Sequence, residues 1–159
     1  MKLQAHGIET DLPPGWEGRI FLRDRPAPGT TTRGAPGEAP NPVAHLANFA
    51  LPEDRGDFGS GAVDLMGESD VLLVLFEYGA QEVGTALFRR RGLPARLIPS
   101  MFSASALQRT IPGQAGTQVF FTTTGRAFCL YAVLGRQSAA LGVLPGANAT
   151  LAATKIGPR

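Results

Sequence analysis

The segment "DVLLVLFEYG" at residues 70–79 limits the possible folds of this chain more than any other feature. Its core, "VLLVLF" at 71–76, puts large apolar side chains on both faces of an extended strand. A strand of this kind is buried on both sides, in the middle of a sheet. No apolar run in the sequence reaches the roughly 18 residues that a membrane helix needs. We therefore predict a buried central strand here and no membrane span.

Further strands are predicted from shorter β-rich runs. The N-terminal stretch "GIETDLPPGWEGRIFLRD" at 7–24 alternates apolar and polar residues on both sides of "PPG". Proline fixes φ and glycine tolerates positive φ, so this tripeptide predicts a turn between two strands. A third strand is predicted at 43–52. The run "TQVFFTTTGRAFCLYAVLG" at 117–135 predicts a hairpin that turns at Thr124-Gly125.

Helical signals are fewer and come mostly late in the chain. The segment 143–157 predicts a C-terminal helix that Gly157-Pro158 ends. A short helix is predicted at 60–67 with Ser60 as its N-cap, and Ser103 or Ser105 should cap another. The segment 81–92 is predicted to be a short helix or a loop.

This order of elements predicts an α+β fold, in which a mainly antiparallel β-sheet is flanked by a C-terminal helix and short helices. The length of 159 residues predicts a single domain over residues 1–159. The Pro-, Gly- and Thr-rich stretch at 25–42 has little apolar surface to bury, so it is predicted to be an exposed loop.

Charge is divided unevenly along the chain. Residues 1–82 hold all 13 acidic residues and six basic ones, a net charge of −7, whereas residues 83–159 hold nine basic residues and no acid. One interpretation is that the two halves interleave and their charges pair. The other is a surface with an acidic and a basic side that docks an acidic partner or a second copy. The candidate partner-binding residues are Asp54, Asp57, Asp64, Glu68, Arg89, Arg90, Arg91 and Arg96.

The sequence gives little support for catalysis, for a metal or for a cofactor. His6 and His45 both lie in predicted strands, outside any cluster with the spacing of metal ligands. Cys129 lies in an apolar run and is predicted to be a buried core residue. No Gly-x-Ser-x-Gly motif is present. We therefore predict no catalytic, cofactor-binding or metal-binding residue, and interpret the acidic segment 53–82 as a solvated face.

Three short motifs overlap in "RGDFGSGAV" at 55–63. They are an integrin-type tripeptide, a kinase-type Asp-Phe-Gly triplet and the beginning of a glycine loop, and each lacks the sequence context that its function requires. We predict a loop in which glycines serve turns and Phe58 packs on the core. Arg55 should pair with Asp54, Asp57 or another nearby carboxylate.

Around Leu12, Pro13, Gly15 and Trp16 the chain resembles the PsbP-like group of α/β/α sandwich domains. In that group an "LP-x-G-W" strand is followed by a long hairpin and a C-terminal helix, here matched by 117–135 and 144–155. The resemblance implies a non-catalytic accessory or binding protein, as in photosystem accessory proteins, a Ran-binding import factor and bacterial lipoproteins. It carries over no functional residue.

These observations favour a non-catalytic binding or assembly protein that docks a protein partner or itself. Nucleic acid is an unlikely partner, because only "RRR" at 89–91 is clustered and stacking aromatics are missing from the basic segment. The alternative is a small-molecule or lipid-binding protein, or a cryptic hydrolase, with an apolar pocket between sheet and helix. The arginine-rich composition is typical of a bacterial chain, and the absence of a signal-like N-terminal run predicts a soluble, cytoplasmic protein.

Overall fold

The computed structural model describes residues 1–23 and 41–159, so the loop predicted at 25–42 lies almost wholly outside the described residues. Among those residues the fold is α+β, as the sequence predicted. A five-stranded antiparallel sheet has the order β3-β4-β5-β7-β6. Its strands are β3 (Glu17–Leu22), β4 (Pro42–Ala47), β5 (Val71–Glu77), β6 (Ala115–Thr123) and β7 (Arg126–Leu134).

A smaller antiparallel sheet has the order β1-β2-β8 and joins the two ends of the chain. Its strands are β1 (Lys2–Ala5), β2 (Ile8–Asp11) and β8 (Lys155–Ile156). The helices are α1 (Ser60–Val63) and α2 (Ala140–Ala152), with 3-10 turns at Ala80–Glu82, Ala86–Phe88, Pro99–Met101, Ala104–Ala106 and Gln137–Ala139. The predicted C-terminal helix therefore begins three residues earlier and ends five residues earlier, because β8 takes the last residues.

The two central strands are buried along their whole length. All seven residues of β5 and all nine of β7 are buried, which confirms the predicted central strand and the inner half of the hairpin. Their side chains alternate between two core clusters. On one side, here called the helix face, the sheet packs against α2 and the small sheet through Leu144, Leu151 and Ile8.

The other side is here called the loop face, and the described residues that cover it form no long helix. Residues 49–66 and 107–111 lie across it and contribute partly buried apolar side chains. The ring of Phe58 stacks on that of Phe76 with centroids 4.1 Å apart, which confirms the predicted contact. Gly61 is in close contact with the carbonyl of Asp54, so a larger residue would push the loop off the sheet.

Several local predictions are confirmed and others are wrong. Trp16 N–H donates to the Pro13 carbonyl at 3.1 Å and Gly15 has φ +81°, as the Pro-Pro-Gly turn requires. Ser103 caps the 3-10 turn that follows it, because its hydroxyl accepts from Ser105 N–H.

Ser60 is not an N-cap: the cap is Gly59, whose left-handed φ of 76° only a residue without Cβ adopts easily. The third strand ends at Ala47 rather than at residue 52.

A buried ion pair ties both ends of the chain to the main sheet. Arg126 is 3% exposed and donates to both carboxylate oxygens of Glu77, at 3.0 and 2.8 Å. It also donates to the carbonyls of His6 and Gly157, at 2.9 and 3.0 Å. One guanidinium therefore joins β5, β7, the β1–β2 turn and the C-terminal segment.

We predict that Arg126→Met lowers the free energy of unfolding by about 3 kcal/mol, because the buried Glu77 carboxylate keeps only the partly exposed Arg159 as a donor and the His6 and Gly157 carbonyls lose the Arg126 guanidinium. Urea denaturation followed by circular dichroism measures this change. The control is Arg159→Met, which removes a second donor to Glu77 from a side chain that is 44% exposed. It should cost less than about 1 kcal/mol. Equal losses in the two variants would contradict this account.

Candidate interaction surface

Four arginines, here called the basic ridge, lie in the segment that passes the β6 edge of the main sheet: three stand beside β6, and Arg96 follows where the segment leads to α2. The ridge consists of Arg89, Arg90, Arg91 and Arg96, all of which are exposed. Its first part pairs with β6, since Thr122 N–H donates to the Arg90 carbonyl at 2.8 Å and Gly92 N–H donates to the Thr122 carbonyl at 3.0 Å. The backbone at residues 90–92 is thus fixed to β6 at one bridge.

Two anchors hold the segment on either side of the ridge. Before it, Phe88 is 1% exposed and packs edge-on against Phe120, with centroids 5.4 Å apart. After it, Leu97 is buried in the helix-face core, and its N–H and carbonyl bond the side chain of Asn148 in α2 at 2.7 and 3.0 Å. The segment therefore passes around the sheet edge between two fixed points, which limits the entropy lost when the ridge meets a partner.

Other basic residues of the second half are paired with carboxylates of the first half. Arg109 forms an ion pair with Asp64 and Arg136 with Glu68. Arg126 and Arg159 both reach Glu77. The interleaving interpretation thus describes part of the surface and accounts for two of the candidate acids, Asp64 and Glu68. Within residues 1–23 and 41–159, the ridge arginines form no ion pair.

The remaining candidate acids lie on a different part of the sheet. These candidates, Asp54 and Asp57, are exposed together with Glu53 on the loop that crosses β4, and we call the three residues the acidic loop. This loop contacts β4 through His45, whereas the ridge lies along β6. Since β4 and β6 are three strand spacings apart in the sheet order, about 14 Å of sheet separates the two groups of charge.

The acidic loop is held by a buried histidine and an arginine. His45 is fully buried on β4, and its Nε2–H donates to the Asp57 carbonyl at 2.7 Å. Arg55 donates through Nε to His45 Nδ1 at 2.7 Å and through Nη1 to the Pro52 carbonyl at 2.9 Å. The predicted pairing of Arg55 with a carboxylate is therefore wrong. Its guanidinium satisfies the histidine and backbone carbonyls, and it lies 5.5 Å from the centroid of the Phe21 ring.

This arrangement fixes the charge state of the histidine. The pKa of His45 is lowered to about 4, mainly by burial; the hydrogen bond to the Asp57 carbonyl opposes this shift and the Arg55 charge adds to it. A neutral ring donates at Nε2 and accepts at Nδ1, which matches both hydrogen bonds. His45 thus serves to position the acidic loop. His6, predicted in a strand, instead lies in the β1–β2 turn with φ 52°.

The other candidates for chemistry are explained by packing. Cys129 is buried, and burial raises the pKa of its thiol to about 12, so it remains a protonated core residue. The hydroxyls of Ser103 and Ser105 bond each other at 2.7 Å. Across the described ranges, no three His, Cys, Asp or Glu side chains are grouped to hold a metal ion.

A shallow groove of about 420 Å³ lies at one end of α2. Trp16 lines it together with Asn48, Ser69 and the helix residues Val143 and Gly146. The Asn48 side chain is used internally, since it bonds Ser69 O at 2.9 Å and Val71 N at 2.8 Å. The groove is thus lined by polar and apolar surface in nearly equal parts, next to the turn that carries the Leu-Pro-Pro-Gly-Trp stretch.

Sequence reasoning missed the two anchors of the ridge. Phe88 stands beside three arginines, and a lone apolar residue there carries no periodic signal. Asn148 lies inside a helical pattern, where its bonds to Leu97 depend on tertiary contact. Tyr78 was also missed: it contacts Phe76, Phe88 and Phe120 and so links the ridge to the central strand.

Comparison of the chain with protein-family models, curated proteins and solved structures finds no match. In the parts of the chain that the structure describes, the helices are too short or too polar to cross a membrane. Any function must therefore be argued from the geometry of the surface itself.

We predict that the protein loses about 2 kcal/mol of stability between pH 7 and pH 5 because of His45. With a pKa near 6.5 when unfolded and about 4 when folded, the unfolded state binds the proton first, so stability falls as pH drops through 6.5. Urea denaturation at both pH values should show this loss in the native protein and in the exposed control His6→Asn. The loss of stability between pH 7 and pH 5 should be much smaller in His45→Gln. An equal loss in this variant would show that His45 is not its cause.

Proposed function

We propose that this protein is a non-catalytic binding or assembly protein that docks an acidic protein partner, or the acidic surface of another copy, through its basic ridge. The observation that carries the proposal is the set of four exposed arginines between two buried anchors, three of them beside the β6 edge of the sheet. Arginine suits such a role because its planar guanidinium can bond carboxylates through two parallel hydrogen bonds.

The neighbouring charges support this choice of surface. Arg109 and Arg136 already face Asp64 and Glu68, so a partner gains little from them. The ridge arginines have no ion pair with the described carboxylates and present their charge to solvent. If a partner supplies carboxylates, pairing with the ridge arginines would raise both the association rate and the specificity of binding.

A protein partner fits the ridge better than a nucleic acid does. Proteins that bind single strands combine basic grooves with exposed aromatic rings on which bases stack. The aromatic residues nearest the ridge are Phe88, which is buried, and Phe120, which packs against it and against Tyr78. Their faces are therefore already occupied by each other.

The resemblance to PsbP-like domains supports the same function class, because members of that group are mostly accessory or binding proteins. The Leu-Pro-Pro-Gly-Trp turn, the hairpin and a helix that packs across the sheet are the features that carry this hypothesis. We therefore also propose membership of that group.

A second candidate function is the binding of a small apolar molecule or lipid at the groove beside α2. The Trp16 side chain and Val143 would contact such a ligand, and the groove volume of about 420 Å³ falls in the range of small-molecule sites. A tryptophan fluorescence titration with a fatty acid tests it, since Trp16 is the single tryptophan of the chain.

We predict that Arg90→Glu/Arg91→Glu weakens binding of a fluorescent oligoglutamate peptide by about tenfold or more at low salt, measured by anisotropy. The matched control Lys2→Glu/Lys155→Glu changes the net charge equally but on the small sheet, and should bind almost as the native protein does. If both variants lose the same peptide affinity, the effect comes from net charge and not from the ridge. Tighter binding of a single-stranded oligonucleotide would make nucleic acid the partner, and a lack of peptide binding by the native protein would refute the proposal.

A further inference from the structure

The carboxylates that remain available for a partner are concentrated in the acidic loop. Most carboxylates of residues 1–23 and 41–159 already accept a hydrogen bond or form an ion pair within the chain. These are Glu9, Asp11, Glu17, Asp64, Glu68, Asp70 and Glu77. Of the described carboxylates without such a bond, three form the acidic loop and the fourth belongs to the half-buried Glu82.

The available cations are concentrated in the basic ridge. Five basic side chains form ion pairs, namely Lys2, Arg109, Arg126, Arg136 and Arg159. Three more bond backbone carbonyls, namely Arg19, Arg23 and Arg55. Among the lysines and arginines of the described ranges, this leaves the four ridge arginines and Lys155 on the small sheet.

The two groups of available charge do not meet within one copy of the chain. The acidic loop crosses β4 and the ridge passes β6, three strand spacings away, and the described residues show no ion pair between them. A second copy carries the carboxylates that the ridge lacks and the arginines that the acidic loop lacks.

We propose that the basic ridge of one copy docks on the acidic loop of another copy, so that the protein assembles head to tail. This inference rests on the function proposed above for the ridge, and it names the partner. The contact would join the arginines at residues 89–91 and 96 to the carboxylates of Glu53, Asp54 and Asp57.

The fold holds both surfaces in place before they meet. In the acidic loop, the Asp57 carbonyl is bonded to the buried His45 and the Pro52 carbonyl to Arg55. The ridge backbone is fixed to β6 at Thr122 and continues to the buried Leu97. A single exposed ion pair contributes little to binding, whereas several charges in fixed positions act as a network and lose less entropy on association.

Apolar surface accompanies the charge on both sides of this contact. Leu87 and Ile98 flank the ridge and are 59% and 43% exposed. Leu51 and Pro52, which are partly exposed, directly precede the acidic loop. Specific protein interfaces combine charged and apolar contacts in this way, with the charges setting orientation.

A contact between unlike surfaces leads to growth. Each copy that binds through its ridge still presents a free acidic loop, to which the ridge of a further copy can bind. Such heterologous contacts produce open chains, or rings where the rotation between copies closes. We therefore expect the mass of the native protein to rise beyond that of a dimer with concentration at low salt, and to fall as added salt screens the charges.

Charge reversal at each surface tests the assembly by sedimentation velocity. The ridge variant Arg90→Glu/Arg91→Glu and the loop variant Glu53→Lys/Asp54→Lys should each weaken self-association by about tenfold or more, because each then carries like charge on both surfaces. An equimolar mixture of the two variants should assemble again, and so should a protein that carries all four changes. Circular dichroism of each variant excludes unfolding as the cause of a loss.

Controls on the small sheet separate the proposed contact from net charge. Lys2→Glu/Lys155→Glu changes the charge as the ridge variant does, and Glu9→Lys/Asp11→Lys changes it as the loop variant does. Both should assemble almost as the native protein does. Equal losses in controls and test variants would overturn the contact, and so would a loop variant that assembles as the native protein does.

Neutral variants test the head-to-tail arrangement. Arg90→Gln/Arg91→Gln keeps the acidic loop, and Glu53→Gln/Asp54→Asn keeps the ridge, so their mixture should form one-to-one pairs that grow no further. A native protein that stops at a closed dimer would overturn head-to-tail growth.

The oligoglutamate peptide distinguishes this inference from the function on which it rests. An excess of the peptide should dissociate the assembly, because it occupies the ridge. A native protein that binds the peptide but stays monomeric at every concentration would refute the assembly and leave the ridge as a binding surface for another acidic protein. A native protein that neither binds the peptide nor self-associates would refute both.

Discussion

The burial of β5 and β7 on both faces is the constraint on which the rest of the structure depends. All seven positions of β5 and all nine of β7 are buried, so both sides of the sheet must be covered. Residues 1–23 and 41–159 provide one long helix for the task. The helix face is closed by α2 together with the small sheet, and the loop face by irregular segments that need specific contacts to stay in place.

Those contacts are two polar groups buried at the edges of the core. Arg126 secures the small sheet by bonding carbonyls from both ends of the chain, and its charge is balanced by Glu77. His45 secures the loop over β4 by bonding the Asp57 carbonyl and accepting from Arg55. In both cases a buried polar group stabilises a layer whose apolar surface alone would not fix its position. The acidic loop is therefore displayed by the fold in a set position.

The sequence predicted those features that depend on local pattern. The apolar run at 71–76, the hairpin around Thr124-Gly125 and the Pro-Pro-Gly turn each carry their own periodicity or turn residue. β8 could not be predicted, because its two residues become a strand only by pairing with Ile8 and Glu9. The partners of Arg55, Arg109 and Arg136 were likewise beyond sequence reasoning, since each choice of partner depends on how distant segments pack. The fold class was therefore accessible from the sequence, and the geometry of the charges was not.

The strand order explains why some arginines are paired and the ridge is not. β7 lies beside β5, so Arg126 in the basic half meets Glu77 in the acidic half. The ridge flanks β6, whose other neighbour is β7, and residues 83–159 contain no acidic residue. Among the described residues, every close neighbour of the ridge in the sheet thus comes from the basic half of the chain. At this edge alone, the basic residues of the second half of the chain lie apart from the acidic residues of the first half. A partner that docks there must bring its own carboxylates.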